Sequence, residues 1–469
     1  MSRGDKAISV PVQFEESFDV VVVGGGTTGA VAALAAARHG AKTAIVEING
    51  FLGGNATTNL PWFGFHNSER ELVVRGIPLE IIERLHLMGG ASEFHFDPIG
   101  NSVVAVNPSW LKIALARMLA DAGVEMFLHS LAIGVATEGN RVTGIYIQNK
   151  QGCQHLVGEV FVDCTDTGDV AVKSGARYEF GRDTDNKVQA SSYAFTVGGI
   201  DFAEMLSYFE ANPDQLRPFP LDAATLEDLL ARMRTAPLFV IGAFPELMAK
   251  ASQDGLTLPR DRMIGVCYPQ SGEAVFVTSR VENVNANDVR NLSRAEIEGV
   301  LQIEQIMKFI KRYMPGGSAA RLVGSAHQIG IRETRHIIGD YCLTGEDLLA
   351  GKRFDDVIAL GGYHLDIHSP DRKGLEPYRR PPTYEIPYRS LLPQGVEGIL
   401  VAGRIISANH EAESSTRVVA ISAAQGQAAG TAAALAVKAG VLPRVLDVHM
   451  LQAALIKDGA EIGQGIGRR

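Results

Sequence analysis

Gly24, Gly26 and Gly29 follow the apolar run Val20–Val23 in the order G-x-G-x-x-G, and Glu47 closes the next apolar run, Lys42–Glu47. Where a buried strand turns into a helix, the first such glycine permits the tight turn. The second lets a diphosphate approach the backbone, and the third permits close helix–strand packing. An acid ending the following strand accepts hydrogen bonds from ribose hydroxyls and repels a 2′-phosphate. The pattern therefore reads as a dinucleotide site and admits FAD or NAD. A second set of chemistry-bearing residues lies far downstream. His364, Asp366 and His368 alternate, so on a strand they share one face. An imidazole titrates near neutral pH and a carboxylate can orient it, which makes this trio the leading acid–base cluster facing substrate. His66, Arg332 and His410 are held in reserve. Arg332 has the chemistry to orient an anionic substrate, or to pair with Glu333. The trio also has metal-ligand types, but no further ligand source accompanies it, so no metal is assigned.

These residues need elements to position them. Ala30–His39 reads as the helix after the glycine turn, ended by Gly40. Phe51–Asn59 is a small, polar loop at the carboxyl end of the second strand, where open α/β sheets bind ligands. Asn107-Pro108 begins a helix that Gly123 ends. Val124–Phe127, Leu131–Val135, Val142–Gln148 and Leu156–Asp163 are expected to form an antiparallel meander beside the parallel sheet. Val160–Val170 then repeats the strand-to-turn logic of the opening and returns the chain to the nucleotide domain. Between Tyr178 and Leu322 the texture becomes mixed α+β, with helix starts at Thr225-x-x-Asp228 and Ser293-x-x-Glu296. Gly361–His368 reads as a short strand carrying the trio. Ile399–Ala402 reads as the last strand of the cofactor sheet and Val418–Lys438 as a long helix whose start, around Ser414–Thr416, aims its dipole at an anion.

The fold class is thus α/β: a Rossmann-like domain with a parallel sheet and an antiparallel meander, plus an inserted α+β substrate domain. The expected division is 17–177 (nucleotide-binding), 178–322 (substrate), 323–390 (return segment reaching the active site), 391–445 (last strand and helix) and 446–469 (C-terminal extension). A chain of 469 residues exceeds one core and fits two or three domains. Hydrophobic residues at 46% supply a large core, and a net charge of −9 argues against nucleic acid as the main partner. Cys153, Cys164, Cys267 and Cys342 form no C-x-x-C pair and read as buried free thiols. The N-terminus has no signal-peptide pattern and no apolar run is long enough for a membrane span, so a cytoplasmic protein is expected. The polar tail from Asp458 is expected to fray or to dock on another subunit of a homo-oligomer.

The chain resembles the FAD-dependent oxidoreductases of the fumarate reductase and aspartate oxidase type, and more closely a largely uncharacterised bacterial FAD-dependent oxidoreductase family. The resemblance is carried by Val21–Gly29, Leu52-Gly-Gly-Asn-Ala-Thr57, Val162–Asp169 and Gly330-Ile-Arg-Glu-Thr-Arg335. It continues through Asp366-Ile-His368, Leu400–Arg404 and Gly426–Gly430. It implies FAD as cofactor, with the diphosphate on Gly24, Gly26, Thr27, Thr28 and Gly29 and the adenosine ribose on Glu47. It further implies that Gly53, Gly54, Asn55, Ala56 and Thr57 run toward the flavin ring, and that backbone at Ala132 meets the adenine. Thr165 and Gly168 would shape the same pocket. Gly403 and Arg404 stand where many flavoproteins carry Gly-Asp, so backbone must replace a carboxylate on the ribityl chain. The helix region at Ser415 would stabilise charge on the reduced flavin.

The leading expectation is a dehydrogenase or reductase that passes a hydride between a small organic substrate and the flavin. An O2-using monooxygenase or oxidase is the alternative. A flavin-carrying tRNA-modifying or sensor protein is the third reading, and it lacks the basic patch that RNA requires.

Overall fold

The computed structural model describes residues 10–97, 100–216, 223–371 and 379–463. Strand β1 (Val12–Val23) ends at the glycine turn, α1 (Thr27–Arg38) leaves it, and β2 (Thr43–Val46) lies parallel to β1. β1 starts at Val12 rather than Phe18 because its exposed first half pairs with a later strand, where Glu15 meets His155 at 2.8 Å.

β3 (Glu125–Phe127), β4 (Leu131–Glu138), β5 (Arg141–Asn149) and β6 (Gly152–Asp163) complete most of the sheet, whose order is β3-β2-β1-β6-β5-β4. β7 (Ile399–Val401) adds in parallel to the end of β6. Only β4, β5 and β6 form the antiparallel meander. The expected first strand of that meander, β3, instead joins the parallel side against β2. It follows the helix Pro108–Asp121 directly, as the return stroke of a crossover from β2. That helix starts as its Asn-Pro requires, with the Asn107 side chain accepting from the Ser109 and Trp110 amides.

A second, five-stranded antiparallel sheet runs Phe239–Ala243, Met263–Tyr268, Glu273–Phe276, Phe195–Gly198, Arg321–Ser325. It packs on its own core, which includes Phe195, Phe209, Phe244, Phe276 and Phe309. The first core draws instead on residues from Val20 to Cys164 and from Leu343 to Ile462, so the chain leaves and re-enters it around the second sheet. Both expected helix starts in this region fall inside helices. Thr225 lies within Ala223–Thr235, and Val289–Tyr313 is capped by Asp288. Ser293 turns its hydroxyl back onto the Val289 carbonyl, and Glu296 accepts from the Ile329 amide.

Gly361–His368 is not a strand. The strand Val357–Gly361 pairs with Tyr384–Pro387 and ends there. A Cβ at Gly361 would lie 2.3 Å from the Tyr384 ring, and one at Gly362 2.7 Å from Asn67. Beyond them only Leu365 forms a bridge, to Arg379, so the trio does not share one strand face.

The long helix has the expected span, but its expected start at Ser414–Thr416 belongs to a separate short helix. His410–Thr416 and α2 (Val419–Ala439) meet at a 92° bend, so Ser414–Thr416 close a short helix and the long one begins at Val418. Among the described residues no single helix is long and apolar enough to cross a membrane. α2 lies buried against α1, and its small residues explain how: a Cβ at Gly426 would sit 2.3 Å from the Thr28 carbonyl oxygen, and one at Gly430 2.0 Å from that of Ala32. Cys153, Cys164 and Cys267 are buried, whereas Cys342 is exposed, because it sits in the loop before the helix Gly345–Leu349. The tail begins docked on its own chain, Asp458 meeting His39 at 2.7 Å, and residues 464–469 lie outside those described.

Gly430→Val drives two methyl groups into the α1 backbone. It should lower stability by about 2–4 kcal/mol in chemical denaturation, while the same change at Gly440, which touches nothing within 4 Å but has φ +66°, should cost only the local backbone strain.

Candidate functional site

The glycine turn is shaped by two kinds of glycine. Gly24 has φ +99°, and a Cβ there would lie 2.2 Å from the Cys164 carbonyl oxygen; one at Gly29 would lie 1.8 Å from that of Gly24. These two are demanded by the chain's own packing. Gly26 is different. Its φ is −59°, and a Cβ on it would meet nothing within 4 Å. It caps α1 with no side-chain hydrogen bond, so the first amides of the helix face open space. Thr27 and Thr28 lie on that first turn; the Thr27 hydroxyl donates to the Gly53 carbonyl, and Thr28 backs onto Gly403 and Gly426. Among the described residues nothing lies within 4 Å of where a Gly26 Cβ would sit, and the helix end facing that space suits an anion.

The surrounding loops lean on this turn. Gly53 bridges Gly26, and Gly54, Asn55, Ala56 and Thr57 form one 3-10 turn that begins with Gly53 at φ +101°. Glu47 is buried, its carboxylate accepting from the amides of Gly25 (2.6 Å) and Asn49 (2.8 Å) and from the Asn49 side chain. Burial nevertheless raises its pKa. The segment before Ala132 is tied to the same place by the Ser130 amide donating to the Glu47 carbonyl. Asp163, fully buried at the end of β6, gathers the amides of Thr165, Val170 and Ala171, and Gly168 caps the next short helix at φ +71°. Gly403 has φ +90° and donates its amide to Gln425. Arg404 pairs with Asp166 at 2.8 Å and hydrogen-bonds the Ile331 carbonyl. Ser415 is occupied by Tyr384 and the Tyr363 carbonyl.

A cavity of about 300 Å³ opens from this loop toward the second sheet. Asn55, Ala56 and Thr58 line one end, Arg332, Asp366, His368 and Arg417 another, and Val418 and Val419 bring the uncapped start of α2 to its wall. Here His368 Nε2 stands 3.3 Å from Asp366, which also accepts from Arg417 at 3.1 Å. Burial would raise the Asp366 pKa, but His368 and Arg417 hold it well below the carboxylate range. Burial and the Arg332 charge push His368 down to about 3, so its ring is neutral.

Behind the cavity lies a buried acid–base network. Glu333 meets His336 at 3.0 Å and His410 at 2.7 Å, and accepts from the Gln189 amide; the Gln189 side chain donates to Glu413 and accepts from the His368 amide. The two histidines outweigh burial and hold Glu333 near about 2, while burial and Glu333 push Glu413 up to about 8. Arg417 Nε, 3.8 Å from Glu413, does not offset this.

Of the acid–base residues read from sequence, the cavity therefore gathers Asp366, His368 and Arg332. His364 is buried against the Tyr363 ring and is held near about 4 by burial. His66 packs between Phe94 and Phe96 with Ser102 on its Nδ1, and His410 belongs to the Glu333 network. Arg260, Arg417, Ser192, Glu413 and Gln189 carry no local motif and come together only through the fold. Among the described residues no three His, Cys, Asp or Glu are grouped to hold a metal ion.

A parallel sheet whose turn leaves room for a diphosphate, beneath a cavity holding a carboxylate–imidazole pair, is the arrangement of a dinucleotide-dependent oxidoreductase. Residues 19–455 match the model of the FAD dependent oxidoreductase family, and the chain belongs to that family. Its cofactor is FAD. Solved structures similar to it include a geranylgeranyl bacteriochlorophyll reductase-like protein from Thermoplasma acidophilum (13% identity, 95% of this chain and 85% of that one, TM-score 0.45). Others are a p-nitrophenol 4-monooxygenase from Pseudomonas putida (12%, 92% and 83%, 0.44) and a myxobacterial chondrochloren halogenase (13%, 94% and 79%, 0.46).

Because a Cβ at Gly26 meets nothing within 4 Å, Gly26→Val should leave the fold intact by circular dichroism yet abolish FAD retention. Glu413 gains about one proton on folding between its unfolded value near 4.5 and about 8, so stability falls as pH rises through that window. Glu413→Gln should remove about one proton of that slope in urea titrations run from about pH 5 to 8.

Proposed function

We propose that this flavoprotein is a dehydrogenase or reductase that passes a hydride between a carbon of a small organic substrate and FAD, in the cavity between the two sheets. The observation that carries this reading is that one cavity joins the cofactor loop at Asn55–Thr58 to the Asp366–His368 pair. Bound FAD supplies a two-electron hydride acceptor or donor. The chain's own residues do the rest. The apolar wall formed by Trp62, Phe63, Val240, Ile264, Val266 and Val277 limits water on one side, which strengthens the charges facing it. Asp366 stays ionised and orients His368 through Nε2, and His368 Nδ1, which accepts from Arg260 at 3.4 Å, gives up that contact when it takes the accompanying proton. The uncapped start of α2 at the wall favours negative charge developing on a bound group. The reading keeps the likeness to the fumarate reductase and aspartate oxidase type, which rests on the motifs from Gly24 to Gly430.

An anaerobic screen of organic acids and alcohols that follows bleaching of the flavin absorbance tests it. One compound class should reduce the flavin completely, and His368→Asn should slow that reduction about 10²–10⁴-fold with FAD content unchanged. Reduced protein that reoxidises rapidly in air through a flavin hydroperoxide would replace this reading with the oxygen-using one.

A further inference from the structure

Arg332 lies at the wall of the cavity. One guanidinium nitrogen donates to the Ala190 carbonyl (2.5 Å) and the Ser192 hydroxyl (3.0 Å), both neutral acceptors. No carboxylate among the described residues forms an ion pair with it. Its neighbours are supplied: Arg417 has Asp366 at 3.1 Å, Arg404 has Asp166 at 2.8 Å and Arg280 has Glu282 at 2.9 Å. Arg260 is engaged by the Ser279 carbonyl, the Ser192 hydroxyl and His368. Burial opposes the Arg332 charge, and Arg417 and Arg260 repel it, with Asp366 the main opposing influence. A guanidinium does not discharge by losing its proton. Relief has to come from an anion that enters the cavity.

The rest of the cavity describes what that anion is attached to. Trp62, Phe63, Val240, Ile264, Val266 and Val277 line it. A second anionic group would have to compete for an arginine the protein already engages, or lie on these apolar walls, which disfavour it. We infer that the cavity takes an organic acid with a single carboxylate seated on Arg332 and an apolar, aromatic or branched body against the valine and isoleucine wall. This rests on reading the cavity as the substrate site. The fork of one guanidinium matches one carboxylate, which it holds by two parallel hydrogen bonds.

The test is equilibrium binding to the FAD-loaded protein, read from perturbation of the oxidised flavin spectrum with phenylacetate, phenylacetamide and succinate. Phenylacetate should bind saturably, with the neutral amide and the dicarboxylate each at least about tenfold weaker. Arg332→Gln should weaken phenylacetate at least about tenfold while FAD content and melting temperature hold, and Arg332→Lys should restore part of the loss. Absence of saturable binding by phenylacetate overturns the inference. So does equal binding of the amide or tighter binding of succinate. An Arg332→Gln protein that keeps phenylacetate but shifts the flavin midpoint potential would assign the guanidinium to the reduced flavin instead, also against it. These outcomes concern binding alone. Arg332-dependent binding by an enzyme that no acid reduces would refute the hydride reading and leave the carboxylate seat standing.

Discussion

Backbone touching backbone around α1 is the constraint on which this structure depends. Gly24 lies against the Cys164 carbonyl, Gly29 against Gly24, and Gly426 and Gly430 against α1, with hypothetical Cβ distances of 1.8–2.3 Å at all four. The contacts clamp α1 between the sheet and α2, so its first turn has one position. The open space at Gly26, the bridge to Gly53 and the course of residues 54–58 follow from that position. Segments separated by almost 400 residues thus define a single cradle because only glycine allows helices and strands to approach so closely.

The second theme is buried charge. Asp366, Glu333 and Glu413 are buried in the same part of the molecule as Arg332 and Arg417, and each carboxylate has settled differently. Asp366 stays ionised between His368 and Arg417, Glu333 stays ionised between two histidines, and Glu413 holds its proton. Desolvation is costly enough that a group without a partner is neutral or waits for one. Glu413 is the first case and Arg332 the second. Groups whose environments drive them apart in this way are the ones acid–base chemistry draws on. Asp366 and Arg332 line the cavity, and Glu333 and Glu413 lie behind it.

What the sequence made legible follows the same physics. The opening βαβ unit was readable because a buried parallel strand is a continuous apolar run and its turn needs glycine at fixed spacing. The helix at Pro108 was readable from its cap. Helix starts at Thr225 and Ser293 misled because capping chemistry is also compatible with a helix interior, and Asp288 captures the start earlier. Gly361–His368 alternates like a strand, yet close packing of Gly361 and Gly362 ends the pairing, which no periodicity records. The bend before α2 was hidden because Ser414–Thr416 and the run from Val418 onward are alike small and uncharged. Arg260, Arg417, Gln189 and Glu413 were invisible as a group, since isolated charges in sequence read as surface until the two sheets bring them together.

The central claim is that the flavin's reactive end lies in the same cavity as Arg332, Asp366 and His368. A crystal structure of the FAD-loaded protein measures this directly. The isoalloxazine ring should lie in the cavity between the loop 54–58 and the start of α2, with one face open toward His368. A ring that emerges elsewhere, with this cavity left to side chains alone, would contradict the account.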